Sequence, residues 1–206
     1  NATAATASRD TFYGLLGDSD KVRSDMLTAR VDHRISPTLR LTNQTRWSKT
    51  NRDAFVTAPT GYAPATQLVT TQRWGFTREN TMLSNLTNLS NQFSTGSLKH
   101  TLSAGLEFMH ERQKNLGFGT AAQTINGVTY AAVNAPAANL YAPNASDALG
   151  VPYRTGADTD GSTNTAALYA FDTLQLNERW QLNGGLRFEH YRTKTDASTI
   201  VTTSNL

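Results

Sequence analysis

Trp180-Gln-Leu-Asn-Gly-Gly-Leu-Arg-Phe-Glu-His-Tyr191 alternates without a break. Trp180, Leu182, Gly184, Leu186 and Phe188 share one face; Gln181, Asn183, Gly185, Arg187 and Glu189 share the other. Successive strand side chains point to opposite sides, so this stretch reads as a β-strand with one apolar and one polar surface. The short link Asn177-Glu178-Arg179 joins it to the preceding stretch Ala166–Leu176, which makes a hairpin.

The same rhythm recurs upstream. Leu102, Ala104, Leu106 and Phe108 oppose Thr101, Ser103, Gly105 and Glu107; Leu27, Ala29 and Val31 oppose Thr28, Arg30 and Asp32. Leu39, Leu41 and Trp47 oppose Arg40, Thr42, Gln44 and Arg46, although Asn43 and Thr45 interrupt the apolar side. In Ala166–Leu176, Tyr169 and Phe171 are placed on the apolar face and Asp172 on the polar one. Thr81–Phe93 is ambiguous, because Leu83, Leu86 and Leu89 suit a helical period as well as a strand. Its Thr and Asn content, and the turn Ser94-Thr95-Gly96-Ser97 that follows, decide for strand.

The connections alternate in length as regularly as the residues alternate in polarity. Ser36–Thr38, Ser94–Ser97 and Asn177–Arg179 are tight; Arg52–Arg78 and Lys114–Asn164 are long, polar and rich in Gly, Ala, Thr and Asn. Tight turns on one side and long loops on the other characterise a transmembrane β-barrel. With short turns facing the periplasm, Asn1–Asp20, Arg52–Arg78, Lys114–Asn164 and Thr193–Leu206 face outward. The segments run about 12–15 residues, against about 5–6 for globular strands; a tilted membrane strand needs ~9–11. Trp47, Phe93, Trp180 and Tyr191 sit near segment ends, as interfacial aromatic girdles do. Periodicity alone also allows an antiparallel sheet with one solvated face; strand length and loop asymmetry favour the barrel.

Composition narrows the function classes. Hydrophobic residues make up 38% of the 206, below the roughly 45–50% of globular chains. A thin apolar band around a wet interior accounts for that better than a thick core. The net charge of +3 is dispersed, which argues against nucleic acid, since that partner wants a basic stripe. Without cysteine there are no disulfide frameworks, thiolate metal sites or cysteine nucleophiles. No apolar run approaches the ~18 residues of a transmembrane helix. Asn1–Ser8 has neither the charged nor the apolar region of a signal peptide, so the chain reads as a mature fragment.

Thr165–Leu176, the short turn and Trp180–Tyr191 together resemble a barrel hairpin of TonB-dependent siderophore receptors. Phe12-Tyr13-Gly14-Leu15 followed by an acidic stretch and the strand Met26–Arg34 resembles the same family, as does Phe93-Ser94-Thr95-Gly96 leading into His100–Glu111. The resemblance covers most of the chain from Phe12 to Tyr191 outside the long loops, and is greatest to the branch for ferric catecholate-type siderophores. It implies an all-β, antiparallel transmembrane β-barrel of about 22 strands, closed by an N-terminal plug. Residues 1–206 then form part of the C-terminal barrel, about six strands, with the plug absent from this chain. A wall segment with two open edges leaves backbone groups unpaired in lipid, so this stretch alone transports nothing. The partners implied are a ferric siderophore, the TonB complex acting through the plug, and outer-membrane lipid and lipopolysaccharide. Iron travels inside its chelator, so no protein cofactor or metal ligand is expected.

Ferric siderophores are usually anionic and flat-faced, so a site for them calls for cations beside aromatic rings. In the long loops that combination occurs at Tyr62, Arg73, Trp74, Phe76 and Arg78, and more loosely at Tyr130, Tyr141, Tyr153 and Arg154. The plainer reading is that these rings pack the loops on themselves or sit in lipopolysaccharide. Arg73-Trp74 is the preferred contact pair. Arg30, Asp32, Arg40, Arg46, Glu107, Asp172, Arg187 and Glu189 are expected to line the lumen, where they can pair and stay hydrated. His33, His100, His110 and His190 show no metal-binding spacing. No nucleophile elbow, phosphate loop or dinucleotide fingerprint occurs, which argues against an enzyme. A porin-like passive channel and a secreted β-sheet adhesion or carbohydrate-binding module remain the alternatives.

Overall fold

The computed structural model describes residues 7–133, 136–148, 150–197 and 200–205. Four long strands come first: β1 (Ser19–Arg34), β2 (Leu39–Ala63), β3 (Leu68–Thr95) and β4 (Leu98–Leu116). The next connection contains five short pieces, β5 (Phe118–Gly119), β6 (Gln123–Ile125), β7 (Val128–Tyr130), β8 (Ala138–Asn139) and β9 (Tyr153–Arg154). Then come β10 (Thr159–Gln175), β11 (Gln181–Ala197) and β12 (Ile200–Asn205). The main sheet is ordered β1-β2-β3-β4-β10-β11-β12, with β8 added to β3 through Leu68↔Asn139 and Val69↔Ala138. Chain order is therefore spatial order, the up-and-down pattern of a barrel wall.

Side chains close the tight turns. Ser36 Oγ accepts the Leu39 N–H at 3.0 Å, and Asn177 Oδ1 accepts those of Arg179 at 2.9 Å and Trp180 at 3.0 Å. Such local bonds let Ser and Asn stand in for a backbone turn. Gly96 reverses the third turn with φ +62°, a left-handed conformation that only glycine adopts freely.

Arg52–Arg78, expected as a loop, is instead the upper part of a tall hairpin. β2 continues to Ala63 and β3 begins at Leu68. Phe55, Val56, Leu68, Val69 and the threonines favour strand, but the segment lacks an apolar/polar split and so carries no period-two signal. Thr193–Leu206 is likewise strand in its described part: β11 runs to Ala197 and pairs with β12 from Ala197↔Ile200 to Arg192↔Asn205.

The contacts divide the chain into two compact units, and β1 to β4 contribute to both. The first comprises Asn1–Arg23, Asn51–Arg78 and Asn115–Thr159. It has a small core that includes Leu15, Ala54, Val69 and Ala138, with Thr71 and Arg73 buried beside them. The second comprises Ser24–Thr50, Glu79–Lys114 and Asp160–Leu206. Its apolar face is bare: Leu182 is 60% exposed, and Leu186 and Phe188 are each 68% exposed. Among the described residues no large side chain is fully buried anywhere.

Within the second unit the expected faces hold for β1, β2, β4 and β11, and β3 is now oriented. Phe93 stacks on His100 at 4.6 Å, while Asn88 accepts hydrogen bonds from Ser103 and Tyr169, each at 2.9 Å. Leu83 and Leu89 therefore share the apolar face with Phe93, and alternation puts Leu86 on the polar face with Asn88. The phase of β10 is the reverse of the expectation. Tyr169 and Phe171 lie on the polar face, covering Gly105 and Gly185: a Cβ on Gly105 would lie 2.5 Å from Tyr169 Oη, and one on Gly185 would overlap Phe171 Cδ1. Asp172 lies on the apolar face, where its Oδ2 meets His100 Nδ1 at 2.6 Å. The two rings occupy ground that the glycines leave empty on the neighbouring strands, an aromatic-over-glycine pairing that outweighs simple hydropathy.

Asn43 and Thr45 also find their reason on the apolar face. Asn43 and Asn85 exchange amide hydrogen bonds at 3.2 Å each way; Asn43 also donates to Thr87 at 2.8 Å, and Asn85 to Thr45 at 2.7 Å.

The face assignment is testable at two adjacent glycines. A Cβ on Gly185 collides with Phe171, whereas one on Gly184 meets nothing within 4 Å. Gly185→Val is expected to destabilise the full protein by about 1–3 kcal/mol through overpacking, and Gly184→Val to change little. Equal shifts in the urea midpoint of the two variants would refute the assignment.

Candidate ligand surface

The second unit presents a polar face built of exposed ion pairs. Arg30 Nε lies 2.8 Å from Asp32, and Arg40 lies 3.5 Å from the same carboxylate. Arg46 donates to Thr28 at 3.3 Å. Arg187 bridges Glu107 at 2.9 Å and Glu189 at 2.7 Å. Seven of the eight residues expected on a lumen face thus share the polar surface; Asp172 does not, for the reason above. Each of these pairs is open to solvent, where water screens the attraction and holding two long side chains in place costs entropy, so none adds much to stability. Together they make a hydrated surface instead of a stabilising core.

The first unit holds the aromatic and cationic candidates, and it separates the preferred pair. Arg73 is only 7% exposed. Its guanidinium donates to the carbonyls of Gly17 at 2.7 Å and Gly150 at 3.4 Å, lies 3.6 Å from Asp18 and caps the Phe55 ring at 5.8 Å. Asp18 in turn accepts from the backbone and hydroxyl of Thr57 at 3.0 and 2.8 Å. Arg73 is thus an internal clamp joining the segment before β1 and the long connection to the hairpin. It is not a free cation beside Trp74.

Trp74, Phe76 and Arg78 follow at alternate positions of β3 and so share the opposite face. Phe76 is 38% exposed, and Arg78 donates to Asn115 at 2.7 Å. Tyr62 is half exposed near the tip of the hairpin. On the same hairpin, the Arg52 guanidinium donates to Asp20 at 2.9 and 2.6 Å and holds that carboxyl below its usual pKa.

The second candidate group is partly assembled. Tyr130 and Tyr153 stack at 4.4 Å, and Tyr153 donates its hydroxyl proton to the Ala121 carbonyl. Arg154 lies 5.4 Å over the Phe118 ring and pairs with Asp158 at 2.7 Å. Tyr141 is exposed, with its backbone N–H held by Asn139 at 2.9 Å.

Phe118, on the Arg73 side of the hairpin, links Arg154 to Phe55, and sequence reasoning missed it. Its ring lies where a side chain on Gly75 would be, edge-on to Phe55 at 5.6 Å and 88°. With Trp74 and Pro152 it walls an open cavity of about 560 Å³, to which Gln72, Gln123 and Thr155 add hydrogen-bonding groups. The available signal was the pair of glycines around it. A Cβ on Gly117 would lie 2.5 Å from the Ala157 carbonyl, and one on Gly119 would lie 2.8 Å from Gln123. Rings, amides and one paired cation are suited to non-covalent capture of a flat polar molecule. Among the described residues no three His, Asp or Glu side chains converge to hold a metal.

Arg73→Gln is expected to loosen the segment around Gly17 and Asp18 by about 1–3 kcal/mol, because it removes the buried donors to the Gly17 and Gly150 carbonyls and the cation beside Asp18. Trp74→Ala is expected to leave that segment intact. Amide exchange at Leu16 and Asp18 distinguishes the two; equal protection in both variants would show that Arg73 is no clamp.

The sequence profile for the family described as TonB dependent receptor-like, beta-barrel, matches residues 1–205. The catecholate siderophore receptor Fiu of Escherichia coli K12 is 39% identical over 197 residues, 91% of this chain and 24% of the relative. The probable TonB-dependent receptor BfrD of Bordetella pertussis is 30% identical over 194 residues, 90% of this chain and 26% of the relative. The chain thus spans about a quarter of the length of the curated relatives it matches. Among solved structures, the open form of the ferric-catecholate import receptor Fiu from E. coli K12 superposes with a TM-score of 0.83 at 29% identity, covering 98% of this chain and 34% of that one. The siderophore receptor PiuA from Acinetobacter baumannii gives 0.81 at 17% identity, covering 98% and 30%, a likeness of fold alone.

Proposed function

The chain belongs to the TonB-dependent receptor β-barrel family, and on that premise we propose that it forms part of the wall and outer loops of a bacterial outer-membrane receptor that imports a ferric siderophore of the catecholate class. The observation that carries this reading is the 39% identity to a catecholate siderophore receptor, which runs through 91% of the chain, long connections included. The bare apolar face supports it independently. An exposed apolar surface spread over Leu182, Leu186, Phe188, Leu106 and Phe108 exceeds what a soluble monomer tolerates, and lipid is its natural cover.

In this reading iron is cargo. It arrives inside its chelator and is held through the chelator's rings and charge, with no iron ligand from the protein. Trp74, Phe76 and Arg78 on the tall hairpin, with Tyr62, Tyr130, Tyr141, Tyr153 and Arg154, supply part of the capture surface. Arg30, Asp32, Arg40, Arg46, Glu107, Arg187 and Glu189 line the lumen, where paired, hydrated charges offer a wet wall without a deep trap. Release into the periplasm depends on a plug domain and on energy delivered by the TonB complex, both properties of the full receptor. The side chains of this chain bind and orient the complex, and no bond is made or broken by them.

The test uses the full-length receptor in an iron-starved host lacking its own catecholate receptors. Uptake of iron-55 complexed with a catecholate siderophore is expected, abolished by a protonophore or by loss of TonB. Uptake that persists without TonB would show a passive channel, and no uptake of any catecholate complex would sink the substrate class. Trp74→Ala with Arg78→Gln is expected to weaken binding about tenfold or more, by loss of a ring contact and a charge-assisted hydrogen bond.

A further inference from the structure

The charges on the polar face of the second unit are unevenly placed along its strands. Close to the short turns the face carries Arg30, Asp32 and Arg34 at the end of β1, Arg40 at the start of β2 and Lys99 at the start of β4. Four cations there meet a single carboxylate, and Asp32 is already shared by Arg30 at 2.8 Å and Arg40 at 3.5 Å. Lys99 and Arg34 are exposed and form no ion pair among the described residues. Farther from the turns the balance inverts. Arg46 and Arg187 stand against Glu107, Glu111 and Glu189, and Glu111 is exposed with no ion pair among the described residues.

Lys99 also borders a depression of about 400 Å³ that crosses β3, β4, β10 and β11. Gln92, Ser94, Thr101, Thr173 and Gln181 supply amides and hydroxyls to it, and alternation sets them on the same face as Lys99. Among the described residues that line it there is no carboxylate. An ammonium group, neutral hydrogen-bonding groups and an excess of positive charge nearby together favour an anion with several oxygen acceptors.

Range decides how this asymmetry acts. Lys99 and Glu111 are twelve positions apart on one strand, roughly 40 Å at ~3.3 Å per residue. The Debye length at physiological ionic strength is about 8 Å, so no field runs the length of the strand and each end acts on what lies beside it. The far half, with its negative excess, holds an anion weakly. The turn end draws one in. Lys99 is suited to a brief stay, because an ammonium is a compact, hydrated point charge without the planar fork by which a guanidinium grips two oxygens.

We propose that Lys99, with Arg34 beside the same turns, forms an exit subsite that receives the anionic ferric complex from the outer loops and passes it to the periplasm. The subsite deepens the import reading above and rests on it, because only there does this face line the lumen and only there do the short turns mark the way out. Its role is in the rate of release, and the outer loops set affinity without it.

The experiment uses the full-length receptor in the iron-starved host, with the iron-55 complex of a catecholate siderophore as the probe. Equilibrium binding to cells treated with a protonophore reports capture; the maximal uptake rate of energised cells includes release. Lys99→Glu with Arg34→Gln is expected to lower the maximal rate about tenfold, the lower end of what charge focused in a cleft supplies, with equilibrium binding unchanged. Lys99→Arg is expected to keep the original rate, and Lys99→Met, which keeps the stem without the charge, is expected to lose part of it. These two single changes at an exposed side chain decide the matter if the double variant fails to reach the membrane. Equal rates for Lys99→Met and Lys99→Arg overturn the proposal, as does an unchanged rate for a double variant that binds normally. Uptake by the double variant that continues under the protonophore shows instead that Lys99 fastens the plug, and overturns it as well. Absence of binding by the unmodified receptor overturns the import reading itself, and the exit subsite with it.

Discussion

A strand that crosses a bilayer has no water to satisfy its backbone, so every N–H and C=O must be paired with a neighbouring strand. Most of the organisation of this chain follows from that constraint. It demands long strands laid side by side in chain order, and β3 alone runs for 28 residues. Strand pairing then fixes the side chains into two faces. One is apolar and bare; the other carries Arg187 between Glu107 and Glu189 and Arg30 beside Asp32. No thick core is needed, which is why a composition too polar for a globular domain still gives an ordered sheet.

Where polar groups fall on the apolar face, they arrive already matched. Asn43 and Asn85 satisfy each other's amides, and Thr45 and Thr87 take up the remaining protons. A buried amide costs little once paired and much when left alone. The His100–Asp172 pair is less complete: His100 Nε2 and Asp172 Oδ1 are buried without partners, although the Phe93 ring stacks on the imidazole. One is a closed network and the other a half-closed one, on the same face.

The sequence made legible what alternation encodes, and little beyond it. β1, β4 and β11 could be read with their faces assigned, because their apolar and polar residues strictly take turns. β10 was read out of phase because Tyr169 and Phe171 are hydrophobic; what sets their face is the absence of side chains at Gly105 and Gly185 on other strands. The tall hairpin looked like a loop because its residues have no bilayer to sort them. At the candidate site, the spacing of Trp74, Phe76 and Arg78 was visible, but adjacency in sequence misled at Arg73. Neighbouring strand residues point apart, and Arg73 is spent on Gly17, Asp18 and Gly150. Phe118 reaches Gly75 from more than forty positions away, a distance across which no local pattern speaks.

The tall hairpin has a consequence for how such a receptor diversifies. Because its candidate contacts stand on paired strands, a single inserted or deleted residue between the tip and Arg73 would rotate every following side chain to the other face. The clamp arginine would then move to the face that Trp74, Phe76 and Arg78 now share, and those three would turn away from it. Changes of two residues, or changes confined to the tip around Gln67, preserve the arrangement. Length variation among descendants of this chain is therefore expected to come in even steps along the hairpin and in any step within the connection from β4 to β10. New specificities would arise on the hairpin by substitution and in that connection by insertion.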